Sequence, residues 1–596
     1  MRVKIAFLLS LLELISSVVS ETCKCRPTEA CWPSENDWSK LNNTISGRLI
    51  KAVPPASVCY SSHPSYNQTA CTRVRSQWYS SAFHAADPIS LGAPGWSGNS
   101  CPPIDANGVS IYGNPTAGAR NCTIGKHSVY VVNATGVADV QAAVRFAKAK
   151  NIALVIKNTG HSYIGRNTGF GSLSVWTHWM KNITFHEDFH AQNCPSNSSI
   201  PQRAATLGAG VQVYEAYEEA DKHDAAIVGG ANPTVGVVGW FTGGGHGPLT
   251  SDYGMGADNV LEATVVLPSG EVVTANECQN SDLLYAIRGG GGSTYGIIIS
   301  AVMKAHPTPQ TGHHMFFMTS KGANASSQFY KMTAFLLSEF PRLKDAGMQG
   351  YFGFRAGAGK PGSRTLSFNW GFYVYNKPNG TIESLFEPIK QRLDRDTSVT
   401  YFSRVSSAPS FFKQFKKAPG AEPVALQTGG AMGGWLLPRS ALANVTKLAR
   451  LLETIGPSVD GPAAMHITGH FSAPNGGRDL DVGTNPAWRD AVIDVIPYEP
   501  VDEGAPDDVV EANAKRMTFT KQQALRDIAP NSGAYFNECD AREPNWRQAY
   551  FGASYDRLLT AKQKYDPEDV LWCRGCVGSD RWLEHSDGGI CKAPGI

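Results

Sequence analysis

The chain has 596 residues, 42% hydrophobic, 17% charged and 10% aromatic, with a formal net charge of +2. That length exceeds what one hydrophobic core organises, so two or more domains are expected. With no block of like charge and no low-complexity tract, nothing favours electrostatic capture of nucleic acid or of an anionic membrane.

Residues 1–20 place Arg2 and Lys4 ahead of an apolar stretch that ends in small residues at Val18 and Ser20. This is the layout of a cleavable secretory signal, and Glu13 within it argues against a permanent membrane anchor. Asn-x-Ser/Thr occurs at Asn42, Asn67, Asn121, Asn133, Asn182, Asn197, Asn324, Asn379 and Asn444, an excess that fits a secreted chain carrying N-linked glycans. Of the 13 cysteines, Cys23, Cys25, Cys31, Cys59, Cys71, Cys101 and Cys122 fall early, so 21–122 reads as a disulfide-stapled extension of loops and short helices. The odd total leaves at least one thiol free or paired outside the chain. A metal reading of "CKC" and of Cys573 to Cys576 lacks histidines at ligand spacing, so no metal site is expected.

Regular patterning begins at the strand "HSVYVV". A helix follows with Val137, Val140, Val144 and Ala147 on one face, then the strand "IALVIK", which together open as β-α-β. Next come "LSVW", "ATLGAG", a helix from Val213 to about His223, "AAIVGG", and a glycine-dense run from Gly229 to Gly256. Strands "VLEATVVL" and "GEVVTA", a short helix "DLLYAI", the turn "RGGGGSTYG" and the strand "IIISAVMKAHP" complete a domain over 123–307, bounded by Pro307 and Pro309. Beyond it "HHMFFMTS", "GYFGF", "TLSFNWGFYVY" and "MHITGHF" alternate as antiparallel strands. The segments "SSQFYKMTAFLLSEF" and "PRSALANVTKLARLLETI" read as helices packed on one face of that sheet. The aromatic density of 351–375 fits either a cavity lining or a plain hydrophobic core. A final helix "NWRQAYFGASYDRLLTAKQKY" lies near the C-terminus. The expected fold is α+β in two lobes, with 308–525 as the second lobe and 526–596 returning to complete the first.

Several signatures are missing. "GHSYIG" and "GWSGN" are not G-x-S-x-G, there is no G-x-x-x-x-G-K-[ST], and no G-x-G-x-x-G lies between a strand and a helix. Serine hydrolase, P-loop and classical dinucleotide readings therefore lack their fingerprints. Glycine instead clusters around Gly160, from Gly229 to Gly256 and from Gly289 to Gly296. Such clusters let backbone N–H groups approach a bulky anionic cofactor, where one alone would read as a tight turn. His161 stands where a buried strand empties into the first cluster; its spacing does not separate a functional role from a surface one.

The motifs "NTGHSY", "NPTVGVVGWFTGGGHGPLTSDYGMGADNVLEATVVLPSGEVV", "DLLYAIRGGGGSTYGIIISAVMKAHP" and "YDRLLTAKQKYDPEDVLW" occur in the order found in FAD-linked oxidoreductases of the vanillyl-alcohol oxidase type. Within these, the chain most resembles the berberine-bridge-enzyme-like group with a PCMH-type FAD-binding domain. The resemblance implies FAD bonded covalently through His161, with Gly160 and Ser162 in the loop that cradles its pyrophosphate. Many relatives carry a second tether, a cysteine just before Pro-Thr-Val-Gly. Here Asn232 occupies that place, which implies a single tether. Thr234, Val235, Gly236, Gly243, Gly244, Gly245, Asp258, Asn259, Ile297 and Asn537 match the flavin-binding positions, and valine at 235 is compatible with an oxidase. Tyr163, Tyr535 and Glu538 are the catalytic candidates; Glu538 replaces a tyrosine of the family's Tyr-x-Asn-Tyr-x-Asp and either serves as the base or points into solvent. His246, where an aromatic residue is usual, is either a site residue or a packing substitution. The implied reaction takes hydride from an alcohol or amine C–H of a small molecule and returns the electrons to O2 as H2O2. A dehydrogenase or cyclising enzyme of specialised metabolism and a non-catalytic secreted glycoprotein are the alternatives.

Overall fold

Tyr130–Asn133, Val137–Ala149 and Leu154–Lys157 form the expected β-α-β unit. Leu173–Trp176 inserts between the two strands, parallel to both. Val140, Val144 and Ala147 of the stripe read from the sequence are buried against Leu154, Leu173 and Val175 together with Ala143, while Val137 is partly buried at its edge. The structure, a computed structural model, describes residues 22–98, 100–195, 202–417, 430–461, 465–471, 473–477 and 479–594. The expected signal at 1–20 and the sequon at Asn197 lie outside those residues. Among the described residues no helix is long and apolar enough to cross a membrane.

The cysteine-rich extension is part of this first lobe. Leu49–Lys51 adds an antiparallel edge strand to Tyr130–Asn133. The helix Glu35–Thr44 starts at a capping box between Ser34 and Asp37 and drives Trp38 into the core, stacked on Tyr130 at 4.0 Å. Three disulfides, Cys25–Cys31, Cys59–Cys71 and Cys101–Cys122, staple the extension internally, while Cys23 reaches across the chain to Cys591. Cys194 pairs with Cys278 and Cys573 with Cys576, and the unpaired thiol required by the odd count is the buried Cys539.

A second, antiparallel sheet runs in the order Ile183–Phe189, Gln202–Gly208, Ile297–Pro307, Val260–Val266 and Val272–Asn276, with Ala225–Ile227 also on the long central strand. The second lobe is an eight-stranded antiparallel sheet. Its centre is Leu366–Tyr375, Gln349–Ala356, His466–Phe471 and Ala491–Pro500. Strand alternation sends Phe352, Phe354, Phe368, Trp370 and Phe372 to one face, where Trp370 meets Phe340 and Phe386 of the covering helices Ser326–Asp345 and Thr381–Asp394. The aromatic run is therefore core, and the opposite face of the sheet is left to line the site.

Two helices differ from expectation. The segment after Pro438 splits into Arg439–Leu442 and Val445–Ile455, because the Asn444 side chain caps the second piece. The final helix breaks at Gly552 into Trp546–Phe551 and Tyr555–Tyr565; its φ of 54° is open to glycine, and an added Cβ would lie 2.8 Å from Asn485 Oδ1.

Candidate active site

The strand Leu154–Lys157 empties into the turn carrying His161. Gly160 sits at φ +88°, and a Cβ there would come 2.8 Å from the Ser90 carbonyl, so only glycine lets the extension close over the turn. Gly92 N–H donates to the Gly160 carbonyl at 3.0 Å, and Trp96 Nε1–H donates to the Tyr163 carbonyl at 2.7 Å. Behind the turn the buried Lys157 ammonium donates to the carbonyls of His84 and Asp87, and burial pulls its pKa down to about 7. Burial, with His84 and Lys157 nearby, lowers His161 to about 4, so its imidazole is neutral at physiological pH. His161 Nε2 lies 2.7 Å from Thr234 Oγ1, whose hydroxyl in turn donates to Asn232 Oδ1 at 3.0 Å. A hydroxyl committed to Asn232 accepts from His161, which puts the imidazole proton on Nε2 and leaves the Nδ1 lone pair available.

The turn forms one wall of a cavity of about 960 Å³. Gly160, His161, Ser162, Tyr163, Val235 and Gly236 line it on one side, with Ile297, Tyr535, Asn537 and Glu538 further round. Arg166 also lines it, donating through Nη2 to Asn537 Oδ1; its Nε is buried without a partner, and burial lowers its pKa to about 10. A buried guanidinium with a spare N–H, beside glycine turns at Gly160 and Gly291, fits a large anionic cofactor.

Across the cavity stands a cluster the sequence did not assemble. Glu538, whose side chain is 20% exposed, places Oε1 3.4 Å from His246 Nε2, and His246 Nδ1 lies 3.1 Å from the Tyr351 hydroxyl. The His246 and His470 rings stack at 3.6 Å and 9°, and His470 Nε2 is 3.3 Å from Asp494 Oδ2. Burial pushes the Glu538 carboxyl up, but the charge and hydrogen bond of His246, with His470, outweigh it and hold Glu538 below the ordinary carboxylate value. Asp494 goes the other way: burial, then the Glu538 charge, raise it to about 8. Burial also keeps Tyr351, Tyr163 and Tyr535 protonated, all raised above the ordinary phenol value. The donor atoms of His246, His470 and Glu538 lie within 4.8 Å of one another. However, face-to-face imidazoles point their in-plane lone pairs side by side and do not converge on one ion, so the cluster is arranged for proton sharing.

Six of the sequence candidates do not line the cavity; Thr234 reaches it only through its contact with His161, and the other five lie behind it. Gly243 abuts the Asn537 amide, Gly244 faces Met255 and Tyr535, and Gly245 packs on Trp240. Asp258 is held in a bidentate ion pair by Arg489, and Asn259 donates to the carbonyls of Tyr253 and Met255. These residues brace the loop that carries His246 and the platform under Asn537. Sequence reasoning missed Trp96, Arg166, Tyr351 and His470. Trp96 belongs to an aperiodic segment, and the last two come singly from separate strands.

Comparison with known proteins agrees with this geometry. Residues 129–276 match a family described as FAD binding domain, and residues 534–576 match berberine and berberine like. The FAD-linked oxidoreductase patO of Aspergillus clavatus is 34% identical over 96% of this chain and 95% of its own. This chain belongs to the FAD-linked oxidoreductases of the vanillyl-alcohol oxidase type. Within the family, the VAO-type flavoprotein oxidase VAO615 of Thermothelomyces thermophilus is 32% identical over 96% of both chains. The crystal structure of the VAO-type flavoprotein MtVAO713 from Myceliophthora thermophila superposes with a TM-score of 0.88 at 30% identity, covering 96% of this chain and 100% of that one. A glucooligosaccharide oxidase from Acremonium strictum, studied for its 6-S-cysteinyl, 8α-N1-histidyl FAD, shares the fold at 19% identity and a TM-score of 0.59, over 76% of this chain and 92% of that one. The enzyme reading is thereby established, and the non-catalytic glycoprotein is set aside.

Proposed function

We propose that the protein is a secreted oxidase that takes hydride from an alcohol C–H of a small molecule and passes the electrons to dioxygen, giving hydrogen peroxide. The observation that carries this reading is Glu538, a carboxylate kept ionised beside His246 on the wall of the cavity that the His161 turn also lines. A flavin in this cradle supplies the two-electron acceptor and the reactivity with dioxygen. Glu538 takes the hydroxyl proton of the substrate as the C–H bond breaks, while His246 Nε2 stands beside its Oε1 and orients the carboxylate. The Tyr351 hydroxyl, 3.1 Å from His246 Nδ1, holds the imidazole in place beside Glu538. Tyr535 accepts from the Asn537 amide at 2.6 Å and stays protonated, so it orients and does not act as base. Tyr163 closes the side of the site next to the tether turn.

FAD is held covalently through His161 Nδ1 alone in this reading. The Thr234 hydroxyl engages Nε2, Asn232 stands where relatives have their cysteine, and the free Cys539 does not line the cavity. A histidyl N1 bond is the linkage named for the Acremonium oxidase. Secretion is supported by six disulfides and by exposed sequons at Asn67, Asn121, Asn182, Asn324, Asn379 and Asn444. Stopped-flow mixing of the reduced enzyme with air tests the oxidase: reoxidation within seconds and stoichiometric peroxide are expected, and reduced flavin persisting for minutes would make it a dehydrogenase.

A further inference from the structure

The cavity-facing side of the second-lobe sheet is ordered in three rungs by strand register. Tyr351, His470 and Asp494 pair across three strands as the inner rung, against Glu538 and His246. Gly353, Thr468 and Ile496 form the middle rung, and Arg355, His466 and Tyr498 the outer one. The rungs differ in kind: the first is a buried acid–base cluster, and the second is uncharged and slim, with no side chain on Gly353 and Thr468 beside Ile496. The third carries a guanidinium beside His466 and Tyr498, whose rings lie 5.0 Å apart. Arg355 is exposed and lines the cavity, and among the described residues its guanidinium has no ion pair or side-chain hydrogen bond. Among the described residues that line the cavity Glu538 is the one carboxylate, at the other end of the same face. Arg355 lies four positions beyond Tyr351 along one strand, a span of about 13 Å.

We propose that the substrate is an amphipathic alcohol bearing a carboxylate: its reacting carbon lies at the Glu538 rung, its flat or slender apolar body crosses the Gly353 rung, and its carboxylate pairs with Arg355. This deepens the oxidase reading and rests on its placement of the reacting carbon. A planar fork of N–H donors matches a carboxylate in two parallel hydrogen bonds, which a neutral analogue cannot reproduce.

Calorimetric titration of the holoenzyme with biphenyl-4-carboxylate and with biphenyl-4-carboxamide tests the anion site without turnover. At low salt the carboxylate is expected to bind about tenfold more tightly, with the gap narrowing as ionic strength rises. Arg355→Gln should abolish the gap and Arg355→Lys should restore part of it. Equal affinities in the wild type, or a gap that survives in Arg355→Gln, would overturn the proposal. In turnover of 4′-(hydroxymethyl)biphenyl-4-carboxylate, Arg355→Gln should raise KM far more than it lowers kcat. If the calorimetric gap holds but no hydroxy substrate of either charge yields peroxide, the oxidase reading fails while the carboxylate site stands.

Discussion

The two walls of the cavity are built by opposite means. The wall around His161 is made from turns whose residues are neighbours in sequence, fixed by backbone contacts such as Gly92 to Gly160 and Trp96 to Tyr163. The wall around Glu538 is made from single side chains delivered by separate strands, Tyr351, His470 and Asp494, onto a loop histidine. In the proposed function the first wall holds the cofactor and the second takes the proton. Variants in the two should therefore fail in different ways.

The largest effects separate the walls cleanly. His161→Ala should abolish acid-stable flavin, read as loss of the flavin mass on the peptide spanning residue 161. Glu538→Gln should leave that mass in place and lower kcat by about 10²–10⁴-fold, read by peroxide release. If Glu538→Gln also loses flavin, the division of labour is wrong. Gly160→Ala should resemble His161→Ala in weaker form, since the Cβ meets the Ser90 carbonyl at an unfavourable φ; about 1–3 kcal/mol of strain at the turn is expected, read as partial flavin incorporation and a lower Tm.

The pH dependence sharpens the second wall. Because Glu538 is held below the ordinary carboxylate value, kcat/KM should stay flat from neutrality down to about pH 5 before its acid limb begins. His246→Asn removes the largest contribution that offsets burial, so the limb should move to higher pH. A smaller effect concerns stability. Asp494 has its pKa raised to about 8, so the folded protein holds a proton there that the unfolded chain releases near the ordinary aspartate value. Its contribution to stability therefore falls as pH rises between those values. Asp494→Asn should have little influence at pH 5 and raise Tm relative to wild type at pH 8, by about 1–3 °C in scanning calorimetry.

The two walls also differ in how far they can be read from sequence. Gly160, His161 and the strand ahead of them announce a cradle because a period-two apolar run stops at a glycine turn, a local pattern. The flavin lobe's β-α-β opening and the helix-covered antiparallel sheet were legible for the same reason. Tyr351 and His470 carry no such mark: within aromatic strands, only register decides that Phe352 enters the core while its neighbour Tyr351 faces the site. Gly243, Gly244, Gly245, Asp258 and Asn259 look like ligand contacts in a motif, yet close packing under the loop accounts for them. The extension hid its part because Trp96 follows no periodicity. Among the sequons, Asn133 has its Oδ1 buried at a strand end, so peptide mapping should find glycan at Asn67 or Asn444 but not at Asn133.

The bond between Cys23 and Cys591 makes the polypeptide a nearly closed ring. Protease nicking of an exposed loop between them would not release a fragment: the cut enzyme should run as one species on a denaturing gel until a thiol reductant parts it. Such a molecule outlives its first cut.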